Sequence, residues 1–410
     1  MSKLSILKGA IIMLQFYSAN TRIANSSRAI DECIELAFAD KIPSDLKIVI
    51  VNATMGHTLD KLAGPIKEKL PGATVLASSC AGVVGRAGAG ESLYDIAMMA
   101  ISGPEEEIAY SAVDDVFGEN SYEKGLELAQ NLKKKLPDTN IVYLLTPGIA
   151  TANDLFIKAF DETFGKDIII FGGPSGDNMK ASTTYQYTGD KPTERGAWAV
   201  GFADPSVMAI TRAAHGFTAY GEPMVVTKAE GNKIIELDGK PAWETFTSRL
   251  GLELDAGLDD TIPVGALAEE LLPEVAEEYG NGHLLSAITK RDEDGAVYPN
   301  KTYPVGQKLW LTMRDENLIF SEQTRSLEFI KNTIGTHDII AVFQTDCLAR
   351  GRLLFNKVVK DELITLLHSE LSNDGVVPPW VGMYGFGEFT RLGGKNEYHN
   401  YSTALLVLYR

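Results

Sequence analysis

Apolar runs and helical spacing follow one another in the same order at two places in the chain. The first begins with Lys47-Ile-Val-Ile-Val-Asn-Ala-Thr-Met-Gly56 and continues with Leu59, Leu62, Ile66 and Leu70 at helical intervals. It closes with Thr74-Val-Leu-Ala-Ser-Ser-Cys-Ala-Gly82. The second begins with Asn140-Ile-Val-Tyr-Leu-Leu-Thr-Pro-Gly148 and continues with Leu155, Ile157, Ala159, Phe160 and Phe164. It closes with Ile168-Ile-Ile-Phe-Gly-Gly-Pro-Ser-Gly176, at an offset of about 93 residues. A short, unbroken apolar run ending in glycine predicts a strand buried on both faces. With a helix between two such strands, the pattern is a parallel β-α-β crossover. Each copy then runs into closely spaced strands that predict antiparallel partners. The fold class expected is therefore α/β with mixed sheets, in two domains. Residues 1–215 form the first, with an internal duplication over about 47–113 and 140–213, and residues 216–410 form the second.

Beyond residue 215 the texture changes. Strands are predicted from Glu222 to Ala229 and over 233–237, with Gly231-Asn232 as their turn. A short helix through Trp243 and Phe246 follows, then strands over 284–289 and 309–313. A helix is predicted over 321–332, and a buried strand over 339–343. From Gly251 to Thr289 there is no Lys or Arg but nine acidic residues, from Glu253 to Glu278, a pattern expected of a solvated helix face. The apolar run 10–14 is expected to be a first buried strand rather than a signal peptide, since Gln15 interrupts it and no small-residue cleavage site follows.

Composition narrows the function classes. The net charge of −17 over 410 residues argues against binding nucleic acid or an anionic membrane surface. No apolar run reaches the roughly 18–20 residues of a membrane span. Three cysteines, far apart in sequence, make no disulfide framework and suit a reducing cytoplasm. The histidines show no metal-ligand spacing and the glycine runs match no nucleotide-binding pattern, so no metal or cofactor is expected.

Candidate chemistry gathers at two places. Ser79, Cys80, Gly173 and Asp177 lie in the glycine-rich strand ends of the two copies, expected to face each other where α/β sheets commonly bind ligands. Near the C-terminus, Cys347 ends a strand with Arg350 three residues on, at a predicted helix start that would favour an anion or a lowered thiol pKa. Glu388 lies inside an apolar strand after Tyr384-Gly-Phe-Gly and needs a partner there, for which Arg350 is a candidate. His399 and Asn400 precede the final strand.

These motifs resemble the FIST family. In the N-terminal half the resemblance rests on Ala77-Ser-Ser-Cys-Ala-Gly82, Gly172-Gly-Pro-Ser-Gly-Asp177 and Ala199-Val-Gly-Phe202. In the C-terminal half it rests on Gly221-Glu-Pro, Cys347-Leu-Ala-Arg350, Tyr384-Gly-Phe-Gly-Glu388 and His399-Asn400. The resemblance implies a bacterial, cytoplasmic sensory module that binds amino acids or related small carboxylates without chemistry. With no room for an output domain, it would signal through a partner protein. On that reading Arg350 holds a carboxylate, Glu388 meets an ammonium group and Asn400 serves as donor and acceptor, with Cys347, Tyr384 and His399 around them. The alternatives are a cysteine-dependent hydrolase or acyl transferase with Cys347 as nucleophile and His399 as base, or a protein-interaction scaffold.

Overall fold

The computed structural model describes residues 13–39, 41–253, 255–351 and 353–410. Most of the apolar run 10–14 lies outside these residues; the first strand starts at Gln15. The supersecondary unit recognised twice in the sequence occurs three times. Copy one runs β1 (Gln15–Thr21), α1 (Ser26–Phe38), β2 (Leu46–Thr54), α2 (Leu59–Lys69), β3 (Thr74–Cys80), the hairpin β4 (Gly82–Gly85) and β5 (Gly88–Gly90), and β6 (Ile96–Ser102). Copy two runs β7 (Ile108–Val113), α3 (Ser121–Lys135), β8 (Ile141–Thr146), α4 (Asn153–Phe164), β9 (Ile169–Pro174), the hairpin β10 (Gln186–Thr188) and β11 (Pro192–Thr193), and β12 (Ala197–Phe202).

Copy three opens with β13 (Met208–Ala214) and is interrupted by an insert, residues 217–314. The insert holds β14 (Phe217–Glu230), β15 (Lys233–Leu237), β16 (Lys240–Pro241), α5 (Ala242–Leu250), α6 (Leu258–Thr261), β17 (Gly265–Glu270) and α7 (Pro273–Tyr279). It continues with β18 (His283–Ser286), β19 (Ile288–Arg291), β20 (Val297–Pro299) and β21 (Lys308–Arg314). The copy resumes with α8 (Glu316–Ile334), β22 (Ile339–Cys347), α9 (Lys357–Glu370), β23 (Trp380–Gly385), the hairpin β24 (Glu388–Leu392) and β25 (Lys395–His399), and β26 (Thr403–Tyr409).

Each copy lays four strands in one order: β1-β6-β2-β3, β7-β12-β8-β9 and β13-β26-β22-β23. The last two in each are the parallel pair. The hairpin of each copy then crosses to another copy's sheet: β10–β11 onto β3, β24–β25 onto β9 and β4–β5 onto β23. The exchange is cyclic, so the body has pseudo-threefold symmetry. A boundary at residue 215 therefore cuts through sheets that draw strands from both sides of it.

The doubly apolar strands follow from this layering. Ile48 and Ile50 face a core shared by the three sheets, while Val49 and Val51 face the helices of their own copy. Tyr143 and Leu145 repeat the inward pattern in copy two, with Val142 and Leu144 outward. At the centre, Phe16, Phe202 and Phe343, one from each copy, form a triangle with ring centroids 6.2–6.3 Å apart.

The insert is an antiparallel sheet with a separate core around Trp243, Phe246, Val226 and Leu309. Its two ends leave the body together: Phe217 pairs with Arg314, and Asp315 N–H donates to Gly216 O at 2.9 Å. Gly216 has φ +74°, and a Cβ there would lie 2.3 Å from the Ile319 side chain, so this neck requires glycine. The Gly221-Glu-Pro motif is a register shift within β14, with Gly221 at φ +70°. The acidic stretch expected as one helix face is instead divided among the segment before α6, α6 itself, β17 and α7.

Candidate functional site

The two glycine-rich strand ends do meet, and the third copy joins them. Gly176 N–H donates to Ser79 O (3.0 Å), Phe386 N–H to Pro174 O (3.3 Å) and Ala81 N–H to Tyr384 O (2.9 Å). These three bonds form a ring around the pseudo-threefold axis. The glycines allow backbone to approach backbone: a Cβ on Gly173 would lie 2.3 Å from Gly387 O, and one on Gly385 2.5 Å from Pro174 O. The motif side chains Ser79 and Asp177 already have partners within the protein. Ser79 Oγ donates to Gly176 O and accepts from Tyr185 N–H, both at 2.8 Å. Asp177 accepts from the amides of Lys180, Ala181 and Ser182, tying down its own loop. Burial holds the Cys80 thiol above its usual range. The backbone bonds at these strand ends close the three copies on one another at the axis.

The C-terminal motif residues assemble elsewhere, where copy three meets the insert. Arg350 is buried; its Nε donates to Thr403 Oγ1 at 3.0 Å and Nη1 to His215 O at 3.2 Å. The segment after Cys347 is a single 3-10 turn, Leu348–Arg350, not the helix start expected. Burial raises the Cys347 thiol, so the anticipated lowering does not occur. Glu388 forms no ion pair with Arg350 among the described residues. Its Oε2 accepts from Ser402 N–H (3.2 Å) and Oγ–H (2.6 Å), and its buried Oε1 has no partner. Burial lifts this carboxyl well above the usual range, against the opposing pull of the Ser402 bonds. Tyr384, also fully buried, packs beside Asp346 and Arg350, where the free space is only about 10 Å³.

His399 stands opposite Glu388 in the β24–β25 ladder. The Tyr279 hydroxyl, held in its protonated form by burial, shares a hydrogen bond with His399 Nδ1 at 3.3 Å. Nε2 is buried without a partner, and burial pulls the His399 pKa down to about 3. Asn400 Oδ1 accepts from Ala287 N–H (3.1 Å) and Asn300 Nδ2 (3.3 Å), both in the insert.

Several residues in this region carry no motif. Glu322 on α8 accepts from the amides of His215 and Gly216 and from Asn281 Nδ2 (2.7 Å), anchoring the neck. His215 accepts at Nδ1 from Phe217 N–H (2.9 Å) and donates from Nε2 to His283 O (3.0 Å), so it is neutral. His399 and Asn400 thus clasp the insert to the body, and Arg350 holds the base of its neck at His215.

The open space lies next to this clasp. A cavity of about 360 Å³ sits between β13 and α8 of the body and α7 of the insert. Arg212, Arg325 and Phe329 line the body side; Glu274, Glu277, Glu278 and Tyr279 line the insert side. Arg212 went unremarked in the sequence, although an arginine amid Ile210, Ala213 and Ala214 is the same signal as Glu388 in its apolar strand.

Family models match in sequence what the motifs suggested: the FIST N domain over residues 47–240 and the FIST C domain over 249–391. The chain belongs to the FIST family. FIST domains are sensory, ligand-binding modules of signalling proteins, and the junction between the two matches falls inside the insert, at α5. No curated protein matches the chain. Among solved structures it is similar to a cyanuric acid hydrolase (9% identity, 98% of this chain and 100% of that one, TM-score 0.37). A second cyanuric acid hydrolase, from A. caulinodans, shows 7% identity over 97% and 99% of the two chains, with TM-score 0.36. T. maritima PurL complexed with ATP shows 10% identity over 99% of this chain and 74% of that one, with TM-score 0.21. Superpositions this loose carry no functional argument. Among the described residues of this FIST chain, no helix is long and apolar enough to cross a membrane.

Proposed function

We propose that this chain is a sensor of small amino-acid-like ligands, acting in the cytoplasm and signalling to a protein partner. The observation that carries the reading is the 360 Å³ cavity at the seam between body and insert. Its volume falls within the roughly 300–1,000 Å³ usual for small-ligand sites, and seams between structural units are where such sites concentrate. A ligand lodged there touches both units, which is what a sensor needs to alter their relation. Three free, buried cysteines suit a reducing compartment. The hydrolase reading loses support, since the Cys347 thiol is raised and the His399 imidazole is held neutral, the reverse of an activated pair.

A thermal-shift screen of the full chain against amino acids and small carboxylates tests the reading. A ligand at 100 times its dissociation constant adds about 2.7 kcal/mol of stability. A raised melting temperature with at least one of them is the expected result. No shift with any compound would replace the sensor by a scaffold that binds protein partners.

A further inference from the structure

We propose that the seam cavity is a receptor for a zwitterion, with Arg212 on the body taking the ligand's carboxylate and the glutamates of α7 on the insert taking its ammonium group. The inference rests on the sensor reading and names the site and the chemistry that reading leaves open.

Arg212 is the decisive residue. Its side chain is nine-tenths buried, and a guanidinium in that position is costly unless its donors are used. Nη1 donates to Glu278 O at 3.0 Å, and the Glu278 carboxylate stands 3.8 Å from the same nitrogen. Phe329 covers one face of the guanidinium, 3.3 Å from its carbon to the ring centroid. Nε, on the opposite edge, has no partner at all. The face is thus occupied by an aromatic ring and one end by a carbonyl. What remains is the edge through which an arginine grips a carboxylate with two parallel hydrogen bonds, its Nε enclosed and unpartnered until the two walls part to admit a ligand. Arg325 lines the same wall and adds a second positive charge.

Across the cavity, Glu274, Glu277 and Glu278 project from the short α7 helix. A simple anion would satisfy Arg212 but meet three carboxylates. A simple cation would leave Arg212 unpaired. A ligand carrying both charges answers both walls, and Phe329 and Tyr279 give its apolar part a surface. Because the two walls belong to different units, such a ligand ties the insert to the body. Tyr279, whose hydroxyl reaches His399, connects that event to the buried clasp.

The test is isothermal titration calorimetry on the full chain with the twenty L-amino acids, and with the amide and N-acetyl derivatives of any that bind. Wild type should bind at least one amino acid and lose about tenfold or more in affinity for each derivative lacking a charge. Arg212→Gln should lose the amino acid to a similar extent. Glu274→Gln with Glu277→Gln should weaken the amino acid while strengthening the anionic N-acetyl derivative. If Arg212→Gln does not fold, as judged by circular dichroism, Arg325→Ala and the glutamate pair decide. Should wild type bind while these variants keep its affinity and Arg350→Gln loses it, the site is misplaced but the sensor stands. If wild type binds no amino acid, this inference falls, and the sensor reading falls with it only if the small carboxylates of the thermal-shift screen also give no shift.

Discussion

The body and the insert are held by different means. In the body, three sheets share an apolar core, trade hairpins in a ring and close on one another through backbone hydrogen bonds at the axis. The insert packs around its own core and meets the body through a two-strand neck, whose base Arg350 holds at His215, and through three buried side chains: Glu322, His399 and Asn400. Backbone reciprocity among three equivalent units leaves little freedom. Side-chain bonds, two of them beside unpartnered atoms of Glu388 and His399, are far easier to break one at a time. The part of a sensor that moves is expected at the weaker attachment, and the seam cavity lies there.

The largest effect should come from breaking the body. A Cβ on Gly173 would stand 2.3 Å from Gly387 O and 3.1 Å from Thr345 Cγ2. Gly173→Ala should cost about 3 kcal/mol or more, at the upper end of overpacking penalties, because the nearest contact is backbone and cannot yield. Urea unfolding measures it. A loss below about 1 kcal/mol would show that the axis is softer than its hydrogen bonds suggest.

The clasp should respond to pH through two groups of opposite sign. His399 is neutral in the folded chain down to about pH 3, whereas the unfolded imidazole takes up its proton near 6.5. Its contribution to stability is therefore lost as pH falls through that window, by up to about 1.4 kcal/mol per pH unit. Glu388 behaves in reverse. Its folded carboxyl stays protonated above the unfolded value, so its contribution is lost as pH rises from about 4 toward the raised folded pKa. Relative to wild type, His399→Gln should gain stability on acidification from pH 6.5 and Glu388→Gln on alkalinisation. Parallel pH curves for all three proteins would remove the buried charge pattern assigned to the clasp.

Arg350→Met tests whether that residue is structural. It breaks the bonds to Thr403 and His215, each a charged-donor hydrogen bond, for an expected loss of about 2 kcal/mol. Proteolysis should then cut first within 217–314. A variant of wild-type stability that no longer binds an amino acid would restore Arg350 to the role of carboxylate receptor.

Much of this architecture was legible beforehand. The parallel crossovers of copies one and two show in unbroken apolar runs such as 48–51 and 141–145, because strands buried on both faces leave no polar alternation. The third copy was hidden by the insert, which separates β13 from α8 and destroys the regular offset. The motif residues around Arg350 and Glu388 were found, but their roles were not. A sequence shows that a charge is buried without showing whether its partner is a ligand, a serine or the carbonyl of His215. Arg212 was missed because it stands alone in a strand, with its glutamates brought opposite only by the fold.

The smallest effect discriminates most finely between the two attachments. Asn400 directly follows the hairpin of copy three but spends its carbonyl on the insert, accepting from Ala287 N–H and from Asn300. Asn400→Ala leaves the Ala287 amide without a partner at that contact, for an expected cost of about 1 kcal/mol. The loss should be local. Hydrogen exchange should quicken at Ala287 and Asn300 and along the neighbouring insert strands, while the amides of Ala81, Gly176 and Phe386 at the axis keep their protection. If axis and insert amides quicken together, the two regions open as one cooperative unit. A ligand at the seam could then stabilise the whole chain but could not shift one part against the other, and the sensor would need another moving element.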